Sequence, residues 1–113
     1  MPTIQKPEEM NYADQGEGWK VRRIAGGELF GGPAMSAFHW ILEPRTRGPE
    51  IIHGNYDEML YVIAGSGAAV VGGRRLPLEP ESLLWLEPGD RCQLESGAQG
   101  LDVLQSYAPG IKE

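Results

Sequence analysis

Glycine and proline interrupt this chain so often that a long helix has nowhere to form. Its 16 glycines and 9 prolines are spread along it instead of gathered in one linker. Gly26-Gly27, Gly31-Gly32-Pro33, Gly65-Ser66-Gly67, Gly72-Gly73, Pro88-Gly89, Ser96-Gly97 and Pro109-Gly110 read as turns, as do 44–49 and 77–80. Gly admits left-handed backbone and Pro presets φ, which is what turns need. The runs between them read as strands over 19–24, 35–42, 58–64, 68–71, 82–86, 91–95 and 101–107. Many short strands with turn signals at roughly 8–12-residue spacing predict an all-β sandwich or barrel. Residues 1–18 are polar and Gly-containing and read as an irregular arm or an edge strand, which leaves 19–113 as one barrel domain. "RRLPLEPE" reads as a solvated hairpin.

A chain of 113 residues suits one domain with a single core. Hydrophobic residues at 41% and charged ones at 23% are the balance of a soluble folded chain, too apolar for a disordered one. The net charge of -6 argues against nucleic acid or an anionic membrane as partner, since both need clustered Lys and Arg. One cysteine forbids an internal disulfide and fits a reducing compartment. The opening "MPTIQKPEEM" lacks the basic start and apolar middle of a signal peptide. The expected location is the cytoplasm.

Period-two alternation orients the side chains. In 91–95, Cys92 and Leu94 alternate with polar residues and share the inner face. In 58–64 both faces are largely apolar, so one lines the core and the other is covered by a second sheet or a subunit; a homodimer is expected. In 35–42, Ala37, His39 and Ile41 share one face and Phe38, Trp40 and Leu42 the other, and either face fits the lining.

The stretch "IIHGNYDEMLYVIAGSG" resembles the first cupin motif, G-x5-H-x-H-x3-4-E-x6-G. His53, Glu58 and Gly65 fall on its second histidine, its glutamate and its last glycine, while Ile51 stands at the first histidine. Upstream, "LEPRTRGPEIIH" places Pro44 on the family proline. The second motif, G-x5-P-x-G-x2-H-x3-N, is traceable in "ESLLWLEPGDRCQLES", where only Gly89 is kept. Glu81, Glu87, Cys92 and Ser96 stand at its glycine, proline, histidine and asparagine. The resemblance spans roughly 34–109, and "NYDEMLYVIAGSG" is similar to cupins of the ethanolamine-utilisation group.

The resemblance implies a double-stranded β-helix (jelly-roll) barrel with a cavity at one mouth. Metal-binding members use three histidines and a glutamate, and the corresponding set here is Ile51, His53, Glu58 and Cys92. Imidazole, carboxylate and thiolate favour Zn or Fe, with Ni, Mn and Cu also compatible. Each ligand has a plainer alternative: Cys92 as a small core hydrophobe, His53 as a turn residue, and Glu58 as the partner of Arg45 or Arg47. His39 is a further candidate ligand if it faces inward, in place of the histidine lost at Ile51. Asn55, Leu60, Trp40, Trp85 and Gln105 are expected to line the pocket with Ile51, and Tyr61 and Tyr107 are further aromatics of the barrel. The aromatic set reads either as core packing or as a wall for a planar or sugar-like ligand. No nucleophile with a neighbouring base is visible. Two functions follow: a metal-assisted enzyme acting on a small organic acid, sugar or aromatic compound, or a ligand-binding or regulatory cupin without chemistry.

Overall fold

Apolar side chains that alternate along short β-prone runs need two opposed surfaces to bury them. The computed structural model of the chain supplies these surfaces as a rolled sheet with eight strands among the described residues, every pairing between them antiparallel. It describes residues 4, 6, 7, 12–25, 36–52 and 57–107. The strands are β1 (Tyr12–Gly16), β2 (Trp19–Ala25), β3 (Ser36–Leu42), β4 (Arg47–Ile52), β5 (Glu58–Val71), β6 (Arg74–Leu78), β7 (Leu83–Leu86) and β8 (Arg91–Tyr107). No helix among the described residues is long and apolar enough to cross a membrane.

Two long strands organise the roll. The second half of β8 lies between β3 and the first half of β5, while its first half lies between β4 and the second half of β5. β7 adds to the first half of β5 and β6 to the second. The result is two facing sheets that share β5 and β8, a jelly-roll barrel. β1 pairs with β2 at the edge, so part of the stretch read as an arm or an edge strand is an edge strand.

Where the sequence predicts turns at 65–67 and 96–97, the chain bends but stays paired, and four expected strands become two. Glycine marks the crossing for a steric reason. A Cβ at Gly65 would strike the carbonyl oxygen of Gly100, and one at Gly67 that of Glu95. The strands therefore pass too closely for any side chain, and the pairing shifts register at Val62/Ala64 and Gly65/Gly67 as β5 moves from one sheet to the other. β4 and β6 each contain a proline and fall where the sequence predicts turns at 44–49 and 77–80. Among the described pairings β4 joins only β8 and β6 only β5, edge positions where a missing N–H is tolerated.

Between the sheets lie Val21, Trp40, Leu42, Ile51, Leu60, Val62, Ala69, Leu78, Leu86, Cys92, Leu94, Leu101 and Val103. Burying leucines as completely as Leu60, Leu94 and Leu101 contributes about 1.5–3 kcal/mol each. Two polar side chains, Glu58 and Gln105, are buried with them.

Candidate functional site

Strand register brings the buried polar groups together. Gln105 of β8 stands opposite Phe38 of β3 and Leu60 of β5. Trp40 and Glu58 lie two residues from those partners on the same faces, the diagonal positions that long side chains reach. Trp40 Nε1 donates to Gln105 Oε1 at 2.6 Å, and Gln105 Nε2 donates to Glu58 Oε2 at 3.1 Å. Among the described residues the other buried side chains round this relay are apolar. Trp19 extends it with an aromatic ring whose centroid is 5.7 Å from that of Trp40, tilted by 33°. Trp40, Gln105 and Glu58 were each legible as interior candidates, but not their linkage. Its signal was a single glutamine on the face of Leu101 and Val103.

Cys92 faces the same interior from the other sheet and is wholly buried. It stands opposite Ile51 on one side and Val71 on the other. Burial pushes its thiol up to about 12, helped by the negative charges of Glu58 and then Asp90. The group is a neutral thiol at physiological pH, in a place where Glu58 is electrostatically felt.

Ile51, Leu60, Trp40 and Gln105 are all buried. His53, Asn55 and the Tyr107 side chain lie outside the described residues. Two expectations are corrected. His39 points away from the interior: Trp40 and Leu42 fill the core side of β3, and His39 Nδ1 meets Arg22 Nη2 at 3.1 Å, with Nε2 3.9 Å from Asp102 Oδ2. It is therefore not placed to replace the ligand missing at Ile51. Trp85 is 59% exposed because β7 turns Leu86 into the core and Leu83 and Trp85 outward. The run "LLWL" is apolar at every position, so alternation could not set its phase. Tyr61, opposite Leu83, shares that outer face. Arg47 pairs with Glu95 instead of Glu58.

Whether these residues fit a metal turns on the donor set. Among the described residues no three His, Cys, Asp or Glu side chains converge as a metal site. Glu58 and Cys92 are two donors of the right chemistry, Ile51 offers none, and a metal would have to displace the thiol proton. Among the described residues these two donors fall short of the three that catalytic zinc sites keep, and His53, the third of the expected set, lies outside them.

The family model of the AraC-like ligand-binding domain matches residues 36–111, which takes in all of β3 to β8 and the Glu58–Gln105–Trp40 relay. This chain belongs to that family and to the cupin superfamily. Solved structures similar to this cupin include KdgF from Halomonas sp., with a TM-score of 0.79 and 16% identity over 96% of this chain and 94% of that one. An RmlC-like cupin from Shewanella frigidimarina has a TM-score of 0.77 and 16% identity over 98% and 94%. Ectoine synthase from P. lautus has a TM-score of 0.78 and 21% identity over 96% of this cupin and 78% of that chain. No curated protein matches the chain.

Proposed function

We propose that this cupin is a small-molecule binding barrel without chemistry of its own, in which the Glu58–Gln105–Trp40 relay reads the polar groups of the ligand. The observation that carries the reading is the buried carboxylate held by a buried amide inside an apolar barrel. Such a network is expensive to keep in a core, and a mostly apolar interior with a few convergent polar groups is how small-molecule sites are built. Glu58 accepts hydrogen bonds, so it suits ligands bearing hydroxyl or amine donors, among small organic acids, sugars and aromatic compounds. The Trp19–Trp40 pair supplies an apolar, ring-sized surface beside it. Binding is tested by titrating a panel of those three classes into the wild type and Glu58→Gln; equal affinity of both proteins for every compound would remove Glu58 from the site.

The second reading is a metal-assisted enzyme with His53, Glu58 and Cys92 as ligands, and it is favoured by the electrostatic proximity of Glu58 to the Cys92 thiol. It predicts stoichiometric Zn or Fe in protein purified without added metal and loss of that metal in Cys92→Ala. The binding reading predicts neither.

The same proposal makes the cupin a cytoplasmic homodimer. Ile63, Leu83 and Trp85 are 48%, 58% and 59% exposed, and Met59 and Tyr61 stand opposite Trp85 and Leu83. A contiguous apolar face of this kind marks an interaction surface. A reducing compartment keeps the lone buried thiol of Cys92 as it is.

A further inference from the structure

The connection from β3 to β4 carries a backbone feature that folding alone does not favour. It lies away from Glu58: Arg45 bonds to Gly97 in the middle of β8, whereas Glu58 pairs with Tyr107 at its end. Pro44 and Arg45 form a turn in which Arg45 has a φ of 54°. That is the left-handed region, where Gly or Asn is the usual residue after Pro and a Cβ is disfavoured. Neighbours nevertheless hold the turn in place. Arg45 N–H donates to Gly97 O at 2.9 Å and Ser96 N–H to Thr46 O at 2.8 Å, while Thr46 N–H donates to Ser96 Oγ at 2.8 Å. Strain that the surroundings enforce points to a use for the residue that bears it, and here that residue brings a guanidinium.

Arg45, Thr46, Arg47, Glu95 and Ser96 line a recess of ≈ 240 Å³. Arg47 Nε donates to Glu95 Oε2 at 3.1 Å, and its Nη2 is 3.1 Å from the same oxygen. Arg75, from β6, donates to the other oxygen, Glu95 Oε1. Two guanidiniums thus hold one carboxylate, and Arg45 lines the same recess, on a chain whose net charge is -6. Of the other carboxylates on this side of the chain, Glu50 of β4 stands opposite Gln93, and Glu43 lies two residues before Arg45, its backbone carbonyl accepting from Ser96 Oγ. The Arg47 and Arg75 side chains stay largely exposed, so part of each fork faces solvent.

We infer that the recess beside the Pro44–Arg45 turn, lined by Arg45 and Arg47 and flanked by Arg75 on the other oxygen of Glu95, is a second ligand site, which takes a small oxyanion, phosphate or carboxylate. Guanidinium forks match the geometry and charge of oxyanions. Glu95 holds two of them in place before the anion arrives, and the strained turn brings the third. The site is independent of the barrel interior.

The test is the melting temperature in inorganic phosphate and, as a second arm, succinate, each against NaCl at matched ionic strength. The wild type is expected to melt higher in at least one of the two anions than in NaCl; phosphate alone identifies a phosphate site, succinate a carboxylate site. Arg45→Gly should melt at or above the wild type in NaCl, because glycine relieves the turn, yet bind the anion roughly tenfold more weakly, the scale of one charge-assisted hydrogen bond. Arg74→Ser removes the same charge from β6 outside the recess and should keep the anion effect. Identical melting of the wild type in both anions and NaCl overturns the inference. So does an Arg45→Gly protein that keeps the effect, or an Arg74→Ser protein that loses it.

Discussion

Gln105 holds Glu58 from the neighbouring strand, its Nε2 donating to Oε2 at 3.1 Å with both side chains buried. Because its Oε1 also accepts from Trp40, one residue serves a donor and an acceptor. Gln105→Leu should therefore destabilise the fold by about 2–4 kcal/mol, the cost of stranding a buried indole N–H and removing a bond to a buried carboxylate. Gln93 donates to the Gly48 carbonyl from a half-buried position, so Gln93→Ala should cost about 1 kcal/mol or less. Urea unfolding of the two variants measures both; equal losses would deny the relay a structural role.

The barrel was legible because turn residues and short β-prone runs pointed the same way, and the motif resemblance agreed with them. Strand number was not. A Gly-Ser-Gly stretch looks alike whether the chain reverses or bends through a close crossing, so β5 and β8 each read as two strands. In the site, Cys92 was placed inward correctly by alternation with polar neighbours, because a polar residue sets the phase. Trp85 lacked such a neighbour, and β3 had two plausible faces until Trp40 was seen to fill the core and His39 to meet Arg22 on the outside. Hydrogen bonds that link three strands depend on register, which single runs do not carry.

Cys92 links stability to alkaline pH. Its thiol is raised from 9.0 to about 12 in the fold, so the native chain keeps a proton that the unfolded chain releases above pH 9. Stability contributed by this group is intact below that point and falls as pH rises towards 12, at up to about 1.4 kcal/mol per pH unit. Denaturant unfolding between pH 8 and 11 should show the decline, and Cys92→Ala should remove that part of it. An equal decline in both proteins would assign the effect elsewhere.

His39 acts at the other end of the scale. Burial, with Arg22, holds it below its ordinary 6.5 against the opposing pull of Asp102; Tyr12 of β1 covers Arg22 from beyond. The unfolded chain takes up this proton first as pH falls, so stability drops from about pH 6.5 downward. His39→Gln, which can still accept from Arg22, should flatten the unfolding free energy between pH 7.5 and 5.5. An unchanged slope would show that His39 does not carry it.

The outer face of β5 and β7 tests the homodimer. Trp85→Lys places a charge among Leu83, Ile63 and Tyr61 without entering the core, and should convert a micromolar dimer into a monomer in sedimentation while barely changing the far-ultraviolet dichroism. A monomeric wild type at the same concentration would refute the assembly.

The indole N–H of Trp40 reports on the proposed binding site from within, because it is hydrogen-bonded to Gln105, while Trp85 on the outer face serves as a control in the same spectrum. The most direct measurement follows the three tryptophan indole resonances by two-dimensional NMR, assigned through Trp40→Phe and Trp85→Phe, during titration with small organic acids, sugars, aromatic compounds and Zn. The binding account predicts that at least one organic compound shifts the Trp40 resonance saturably, leaves Trp85 in place, and loses its effect in Glu58→Gln. A Trp40 resonance that stays fixed across the organic panel, or that moves with Zn alone, would contradict it.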